Sequence, residues 1–298
     1  MVMIAKQCGG HHQTYKGVLM TMQKDRRATA PPPTATLPVV KTRRKFSAVL
    51  GGMLPVLTFA AIVLIWDLSV RIFEIPKYLL PGPIEVFTRI FTSSETLWRN
   101  GIVTLQEIFL GFGLTVVTAI PLGLLVALSS VARRMVYPVL VFIQLVPKIA
   151  IAPLFIIWVG FGMESKVLLT VMMTFFPLLL ASISGFQILD QRYLYLTRSM
   201  GATIWQTFRF LRFPSALPVI FSGLKTSATI AATAAIVAEF VGANRGLGYL
   251  LLQGTANLDI TLVFAILLVL TVIGLALNYI VEFVEWIMTP WQRSRPLD

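Results

Sequence analysis

Six apolar segments, each long enough to cross a lipid bilayer, place the first constraint on how this chain can fold. The first runs from Phe46 to Trp66 without a charged residue. At about 1.5 Å per residue, a helix of that length crosses the roughly 30 Å of bilayer hydrocarbon. Backbone N–H and C=O groups within hydrocarbon need partners inside the protein, and a helix supplies them. The sequence therefore predicts an all-α polytopic membrane protein, with spans at about 46–66, 101–130, 135–162, 167–189, 216–241 and 260–281.

The composition agrees with that class and excludes several others. Of the 298 residues, 56% are hydrophobic and 13% are charged, and the mean hydropathy is +0.81. The net charge of +12 comes from Lys and Arg residues that are not gathered in one aromatic-interleaved patch, so we expect no nucleic-acid partner. The one cysteine, Cys8, excludes an intrachain disulfide, and His11 and His12 lack further ligands, so we expect no metal site. The sequence also lacks a P-loop, which argues against ATP binding by this chain.

The polar segments define the ends of the chain and its orientation. Residues 1–45 are basic and contain three consecutive prolines, and with so little periodic apolar surface we expect a disordered cytoplasmic tail. Residues 291–298 form a second, short tail. Residues 67–100 mix charges with the turn-like sequence LLPGPIEVF, which predicts a surface amphipathic helix. Lys and Arg are more frequent on the side of the N-terminal tail, which predicts that both termini are cytoplasmic.

Small residues and prolines mark the helix contacts. The fifth span carries a face of alanines that lets another helix approach closely, which predicts that this span is buried. The four are Ala228, Ala231, Ala235 and Ala238. Prolines interrupt three other spans, where they either kink a helix or free carbonyls to line a pathway. These are Pro121, Pro147, Pro153 and Pro177.

The longest polar interval inside the apolar sequence runs from Asp190 to Pro218. It carries four arginines against one acid, which predicts a cytoplasmic loop. Thr203 and Gln206 have the spacing of a capping box, and apolar residues follow at helical spacing, which predicts a short amphipathic helix ended by Pro214. A helix too short to span the membrane needs a receiver for its apolar face, and a groove in a partner protein fits.

The spacing within this interval resembles the EAA loop of binding-protein-dependent ABC importer permeases. The family's pattern is E-A-A, three residues, glycine, nine residues, and then I-x-L-P. Gly201 takes the glycine position and residues 211–214 take the I-x-L-P position, whereas Tyr195, Leu196 and Thr197 replace the triplet. Two further stretches resemble the nitrate, sulfonate and taurine group, which also includes importers of bicarbonate and pyrimidine precursors. They are LVPKIAIAPLFIIWVGFG at 145–162 and AEFVGANRGLGYLL at 238–251.

The resemblance implies a six-span type I ABC importer permease in a bacterial cytoplasmic membrane. It further implies a pair of permease subunits, expected here as a homodimer, on two cytoplasmic ATPases that bind the ATP and Mg²⁺. A periplasmic or lipid-anchored binding protein would deliver the solute. The chain itself would bind no cofactor and catalyse no reaction. The implied cargo is a small polar solute imported by alternating access, preferably an anion such as nitrate, a sulfonate, taurine or another organic acid, with a pyrimidine precursor as a further option.

By the same resemblance, the loop 190–218 couples the permease to the ATPase. Gly201 permits a turn with positive φ ahead of the capped helix, and Ile204, Trp205 and Phe208 form an apolar docking face. Because the family's glutamate is missing, we expect coupling to rest on that face and on arginine contacts. Alternatively, the arginines anchor lipid headgroups. The predicted coupling residues are Arg198, Gly201, Ala202, Thr203, Ile204, Trp205, Phe208, Arg209, Arg212 and Pro214.

Two charged residues within the spans are candidates for the substrate pathway. Lys148 lies midway along the third predicted span, where an ammonium faces water or a partner. It either attracts an anionic solute, snorkels, or pairs with a carboxylate such as Glu107 or Glu239. Glu239 either forms part of an outer gate or caps the interface there. The adjacent Asn244 and Arg245 are predicted to face the binding protein. A self-contained secondary transporter or channel, and a scaffold without a pathway, are the competing classes.

Overall fold

The computed structural model describes residues 44–291, with side chains from residue 54 onward. By its contacts the chain divides into two units, 1–59 and 60–298. In the first unit the described residues belong to the start of helix α1 (Arg44–Ile72). The predicted N-terminal tail up to residue 43 and most of the predicted C-terminal tail, residues 292–298, lie outside the described residues.

Regular structure in the described part of the chain is entirely helical. After α1 come short helix α2 (Pro83–Thr92), in the segment predicted to form a surface helix, and long helix α3 (Ser94–Leu128). The remaining helices are α4 (Ser130–Leu145), α5 (Lys148–Val159), α6 (Met163–Gln187), α7 (Gln191–Ser199), α8 (Ile204–Thr207), α9 (Phe213–Gly242), α10 (Leu247–Ala256) and α11 (Ile260–Met288). A π-helical turn, Phe208–Arg212, joins α8 to α9.

Five of these segments are long and apolar enough to cross a membrane: Leu54–Ile72, α3, α6, the continuous stretch Ile204–Gly242, and α11. A sixth crossing is available only if α4 and α5 count as one broken span, because they are bent by 92°. The bend lies within the predicted third span, about 135–162, at Pro147, one of the prolines expected to interrupt a span. Pro147 disfavours helical geometry at the residue before it, and Val146 is extended, with φ of −64° and ψ of 129°.

The core forms where α6 packs between α3 and α9. Ile108, Leu178 and Ile220 are almost completely buried there. Lipid tails are as apolar as these side chains, so association rests on close packing, which small residues permit. A Cβ added at Gly111 would lie 2.6 Å from Thr170. The predicted alanine face of α9 is buried, with Ala228, Ala231 and Ala235 at 0% exposure and Ala238 at 2%.

The three core helices run between two ends of the second unit. We call one the loop end, defined by residues 187–214 together with the end of α3 and the start of α4. We call the other the clamp end, defined by Asn100, Thr104, Glu239 and the start of α10. The two ends differ in how their charges are arranged, and each carries one of the predicted functional regions.

Candidate functional site

The turn ahead of the predicted docking helix forms from local hydrogen bonds and backbone geometry at the loop end. Helix α7 is capped by Asp190, whose carboxylate accepts a hydrogen bond from the Arg192 N–H at 3.0 Å. Gly201 then adopts a φ of 75°, and a Cβ added there would meet nothing within 4 Å. Glycine is therefore favoured by the left-handed backbone rather than by lack of space.

Helix α8 begins with the predicted capping box. The Gln206 N–H donates to Thr203 Oγ1 at 3.2 Å, and the Thr203 N–H donates to Gln206 Oε1 at 2.8 Å. These bonds satisfy backbone donors at the helix start that have no partner within the helix. Ala202, between the turn and the cap, is half-buried.

The expectation that Pro214 ends this helix is wrong. The chain stays helical from Ile204 to Gly242. Proline removes one hydrogen bond and crowds the carbonyl four residues earlier. Here the helix avoids that break because the hydrogen bonds just before Pro214 reach one residue further back than in an α-helix. The Phe213 N–H donates to the Phe208 carbonyl, five residues back, which is the bonding pattern of a π turn. Consequently α8 and the core helix α9 form one continuous element.

The predicted docking face divides into an exposed tip and an anchor. Ile204 is 89% exposed and Trp205 is 66% exposed. Phe208 is half-buried, and its ring centroid lies 5.7 Å from that of Trp205 and 6.4 Å from that of Phe186 in the core. The tip is thus free to contact a partner, while Phe208 ties it to the membrane-spanning bundle.

The loop end carries arginines without acidic partners. Arg192 lies 3.9 Å from Asp190, with both side chains largely exposed. The guanidinium of Arg209 lies 5.8 Å from the Phe210 ring centre. Arg198 and Arg212 form no ion pair with any described residue. They lie at a groove of about 480 Å³ whose other lining residues are mostly apolar.

At the clamp end, three side chains hold the start of α10. The Gly246 N–H donates to Asn100 Oδ1 at 2.8 Å, the Leu247 N–H to Thr104 Oγ1 at 2.9 Å, and the Gly248 N–H to Glu239 Oε2. Glu239 Oε1 in turn accepts from Thr104 at 2.6 Å. A carboxylate suits a helix N-terminus because both the N–H groups and the helix dipole favour negative charge.

Glu239 is therefore a buried part of this clamp, with 1% exposure. Of the two sequence interpretations, its burial and its bonds to α10 favour a structural role over part of an outer gate. Asn244 and Arg245 lie on the short connection beside it, and both are exposed although the next three residues are buried. The clamp thus presents these two side chains on a fixed support.

Lys166, which lies between the third and fourth predicted spans, is the partner of Glu107. Its Nζ lies 2.7 Å from Glu107 Oε1, and the two side chains are 11% and 0% exposed. Glu107 is the lone acid of the second predicted span, and a buried acid needs a partner. The buried carboxylate of Glu107 therefore indicated a nearby cation, but the sequence did not show that this cation is Lys166.

Lys148 does not form the ion pairs suggested for it. It is the first residue of α5, just after the bend. Its Nζ lies 5.4 Å from the Phe176 ring centre. Among the described residues it pairs with neither Glu107 nor Glu239, so both proposed pairings are wrong. A second ion pair that the sequence reasoning missed joins Lys225 to Glu285 at 2.6 Å, between α9 and α11.

Comparison with known proteins gives consistent results. Residues 119–293 match the family model described as binding-protein-dependent transport system inner membrane component. The chain is 37% identical over 242 residues to a formylaminopyrimidine transport permease protein of Halalkalibacterium halodurans, covering 81% of this chain and 96% of the relative. It is 33% identical over 265 residues to a riboflavin transport system permease protein of Chloroflexus aurantiacus, covering 88% and 98%.

A more distant relative and a solved structure extend the comparison. The taurine transport system permease protein of Escherichia coli is 28% identical over 241 residues, covering 78% of this chain and 88% of the relative. The inward-facing MetNI methionine ABC transporter matches with a TM-score of 0.56 at 18% identity, over 67% of this chain and 97% of the matched chain. That last likeness concerns the fold. Because the family model spans more than half of the chain and two relatives exceed 30% identity over most of it, the chain belongs to the family of binding-protein-dependent transport system inner membrane components, and it is an ABC importer permease subunit.

Proposed function

We propose that this permease carries a small polar solute from a binding protein into the cytoplasm, and that α8 docks it on a cytoplasmic ATPase. The observation that carries the proposal is the exposed pair Ile204 and Trp205 on a capped helix that follows a positive-φ glycine. ATP and Mg²⁺ belong to the partner ATPase, and this chain contributes no catalytic group and binds no cofactor. The loop end then faces the cytoplasm, together with both termini.

The continuity of α8 with α9 supports a direct mechanical link. Ile204 and Trp205 lie on the same helical stretch as the most buried core span, so a displacement of the docked tip moves that span without an intervening hinge loop. The π turn at Phe208–Arg212 is the one irregular point along that path, and such turns are frequent at functional sites. Closure of the ATPases would in this way drive alternating access.

The remaining partners are assigned from position. A second copy of the chain completes the pathway as a homodimer. Asn244 and Arg245, held by the clamp at the opposite end, face the binding protein. Arg245 has no acidic partner among the described residues, so an acidic surface on the binding protein would complement it.

Two solute classes are supported by different observations. The relatives at 37% and 33% identity are named for formylaminopyrimidine and riboflavin, which supports a polar nitrogen heterocycle. Lys148, a cation at the bend between α4 and α5 with no acidic partner in the described part of the chain, supports an anion of the sulfonate type. We place the heterocycle first because those two relatives are more similar than the taurine permease at 28%.

The docking proposal is tested by Trp205→Asp in the permease co-expressed with its ATPase. We expect membrane insertion to be normal and co-purification of the ATPase to fall strongly, because a charge replaces the exposed apolar tip. Trp98→Asp is the matched control, since Trp98 is 68% exposed but lies at the clamp end. Equal ATPase recovery with the two variants would contradict docking. Uptake in liposomes without any ATPase would instead support a secondary transporter or channel.

The solute class is tested by competition for uptake in the assembled transporter. We expect formylaminopyrimidine or riboflavin to compete with transport, and Lys148→Gln to leave that competition unchanged. Competition by taurine that disappears in Lys148→Gln would support the anion instead. Lys77→Gln, at an exposed ion pair, is the control for loss of one positive charge.

A further inference from the structure

We propose that the groove beside α8 binds one anionic phospholipid, with an acyl chain along its apolar wall and the phosphate on Arg198 and Arg212. This site goes beyond ATPase docking, because it adds the leucines of α3 and α7 and the two arginines to a groove that Ile204 and Trp205 also line. It would make a membrane lipid a structural part of the docking region.

The wall of the groove is built for an acyl chain. Its volume of about 480 Å³ lies within the roughly 300–1,000 Å³ typical of small-molecule sites. The groove is lined by Leu124 and Leu128 from the last turns of α3, by Leu194 from α7, and by Trp205. Because α3 is one of the membrane-spanning helices, an acyl chain can pass from the bilayer into the groove without leaving apolar surroundings.

The positively charged side chains that line the groove favour an anionic ligand. Arg198 and Arg212 both line it, and neither forms an ion pair with a described residue. The Nε of Arg212 is buried and has no hydrogen-bond partner in the part of the chain that the structure describes. A buried donor without an acceptor is costly, and phosphate oxygens match the planar fork of a guanidinium. In the cytoplasmic leaflet, anionic lipids supply that phosphate.

Charge disfavours the other occupants. The N-terminal residues 1–43 are basic, so they would repel the two arginines. The same face of a second copy carries the same arginines. The ATPase is expected at the outer tip, where Ile204 is 89% exposed, whereas the recess adjoins the end of a membrane span.

The test is native mass spectrometry of the full-length chain, purified without ATPase and mixed with equal amounts of phosphatidylglycerol and phosphatidylcholine. We expect wild type to retain one phosphatidylglycerol in preference to phosphatidylcholine. Each basic side chain at an anionic lipid changes binding roughly fivefold, so Arg198→Ala/Arg212→Ala should bind about 25-fold more weakly. Arg198→Lys/Arg212→Lys keeps the charges and should retain most of the lipid, which also checks folding. Leu194→Trp should expel lipid by filling the groove.

Arg134→Ala is the control, because Arg134 is exposed near the same end but does not line the groove. Equal retention of the two lipids would overturn the proposal. So would unchanged lipid retention in Arg198→Ala/Arg212→Ala, or a loss in Arg134→Ala as large as in that double variant. Since the ATPase is absent, these outcomes do not depend on docking.

Discussion

The two ends of the second unit differ in whether their basic side chains have acidic partners. At the clamp end, Lys166 pairs with Glu107 and Arg99 with Glu95, whereas Arg245 has no acidic partner among the described residues. The segment that leads into α3 holds three further pairs, Arg71–Asp67, Lys77–Glu85 and Arg89–Asp259. At the loop end, Arg192 reaches an acid only at 3.9 Å, and the other described arginines form no ion pair. Charges that are paired within the protein need no other molecule. Uncompensated arginines beside exposed aromatic residues instead favour contact with a partner.

The comparison extends to backbone groups. The clamp end uses buried and half-buried side chains from α3 and α9 to satisfy the first N–H groups of α10. The loop end uses bonds between neighbours in sequence, as in the capping box of Thr203 and Gln206. Local bonds can persist while the segment changes partners. Long-range buried bonds tie a segment to the bundle.

The largest expected effect is at the buried ion pair of the clamp end. Glu107→Ala leaves the nearly buried Lys166 without its carboxylate, and removing one partner of such a pair costs about 3–5 kcal/mol. We expect a large fall in the thermal stability of the purified protein, measured by the fraction that remains monodisperse after heating. Glu85→Ala breaks an exposed pair and should cost less than about 1 kcal/mol. Equal losses would contradict the distinction, and Glu107→Ala/Lys166→Ala should recover part of the stability.

The next effect concerns the turn at the loop end. Gly201→Val places a β-branched residue at a φ of 75°, and left-handed geometry costs such residues about 1–2 kcal/mol. We expect ATPase affinity to fall roughly tenfold or more, because the substitution reorients α8. The bundle should stay intact, because a Cβ added at Gly201 has no atom within 4 Å. Gly82→Val also adds a Cβ in open space, but at a φ of −70°, and should leave affinity unchanged.

A smaller effect is expected at the helix cap. Thr203→Ala removes the acceptor for the Gln206 N–H, which typically costs about 1 kcal/mol. We expect the ATPase affinity of the permease to fall about fivefold, measured by titration in nanodiscs. Ser129→Ala removes a similar cap from α4 at the same end without touching the docking segment. If both variants lost affinity equally, the cap of α8 would have no special role in docking.

The smallest effects should come from single exposed charges. Arg209→Ala is expected to weaken ATPase association a few-fold, and more at low salt, because an unpaired arginine can steer and hold an acidic partner. Arg99→Ala breaks an exposed pair at the clamp end, with a separation of 3.5 Å, and should change neither association nor stability measurably. Equal loss of ATPase association in the two variants would contradict the proposed difference between the ends.

Much of the loop end could be predicted because its geometry depends on neighbours along the chain. A glycine followed by Thr203 and Gln206 specifies a turn and a capped helix before any tertiary contact forms, and the structure contains both. The error at Pro214 has the same local origin. Proline signals an interruption, but the sequence does not distinguish a helix end from a π turn that carries the helix onward.

The sequence by itself determined the membrane class, the buried alanine face of α9 and the capped turn at Gly201, because hydropathy, residue size and backbone preference act locally. Only the tertiary structure decided that Glu107 meets Lys166, 59 positions away, that Glu239 caps α10, and that α4 and α5 are bent by 92°. These outcomes depend on how helices distant in sequence pack together. The sequence showed which charges needed partners. The folded bundle supplies carboxylates at the clamp end, whereas most arginines of the loop end have no acidic partner among the described residues.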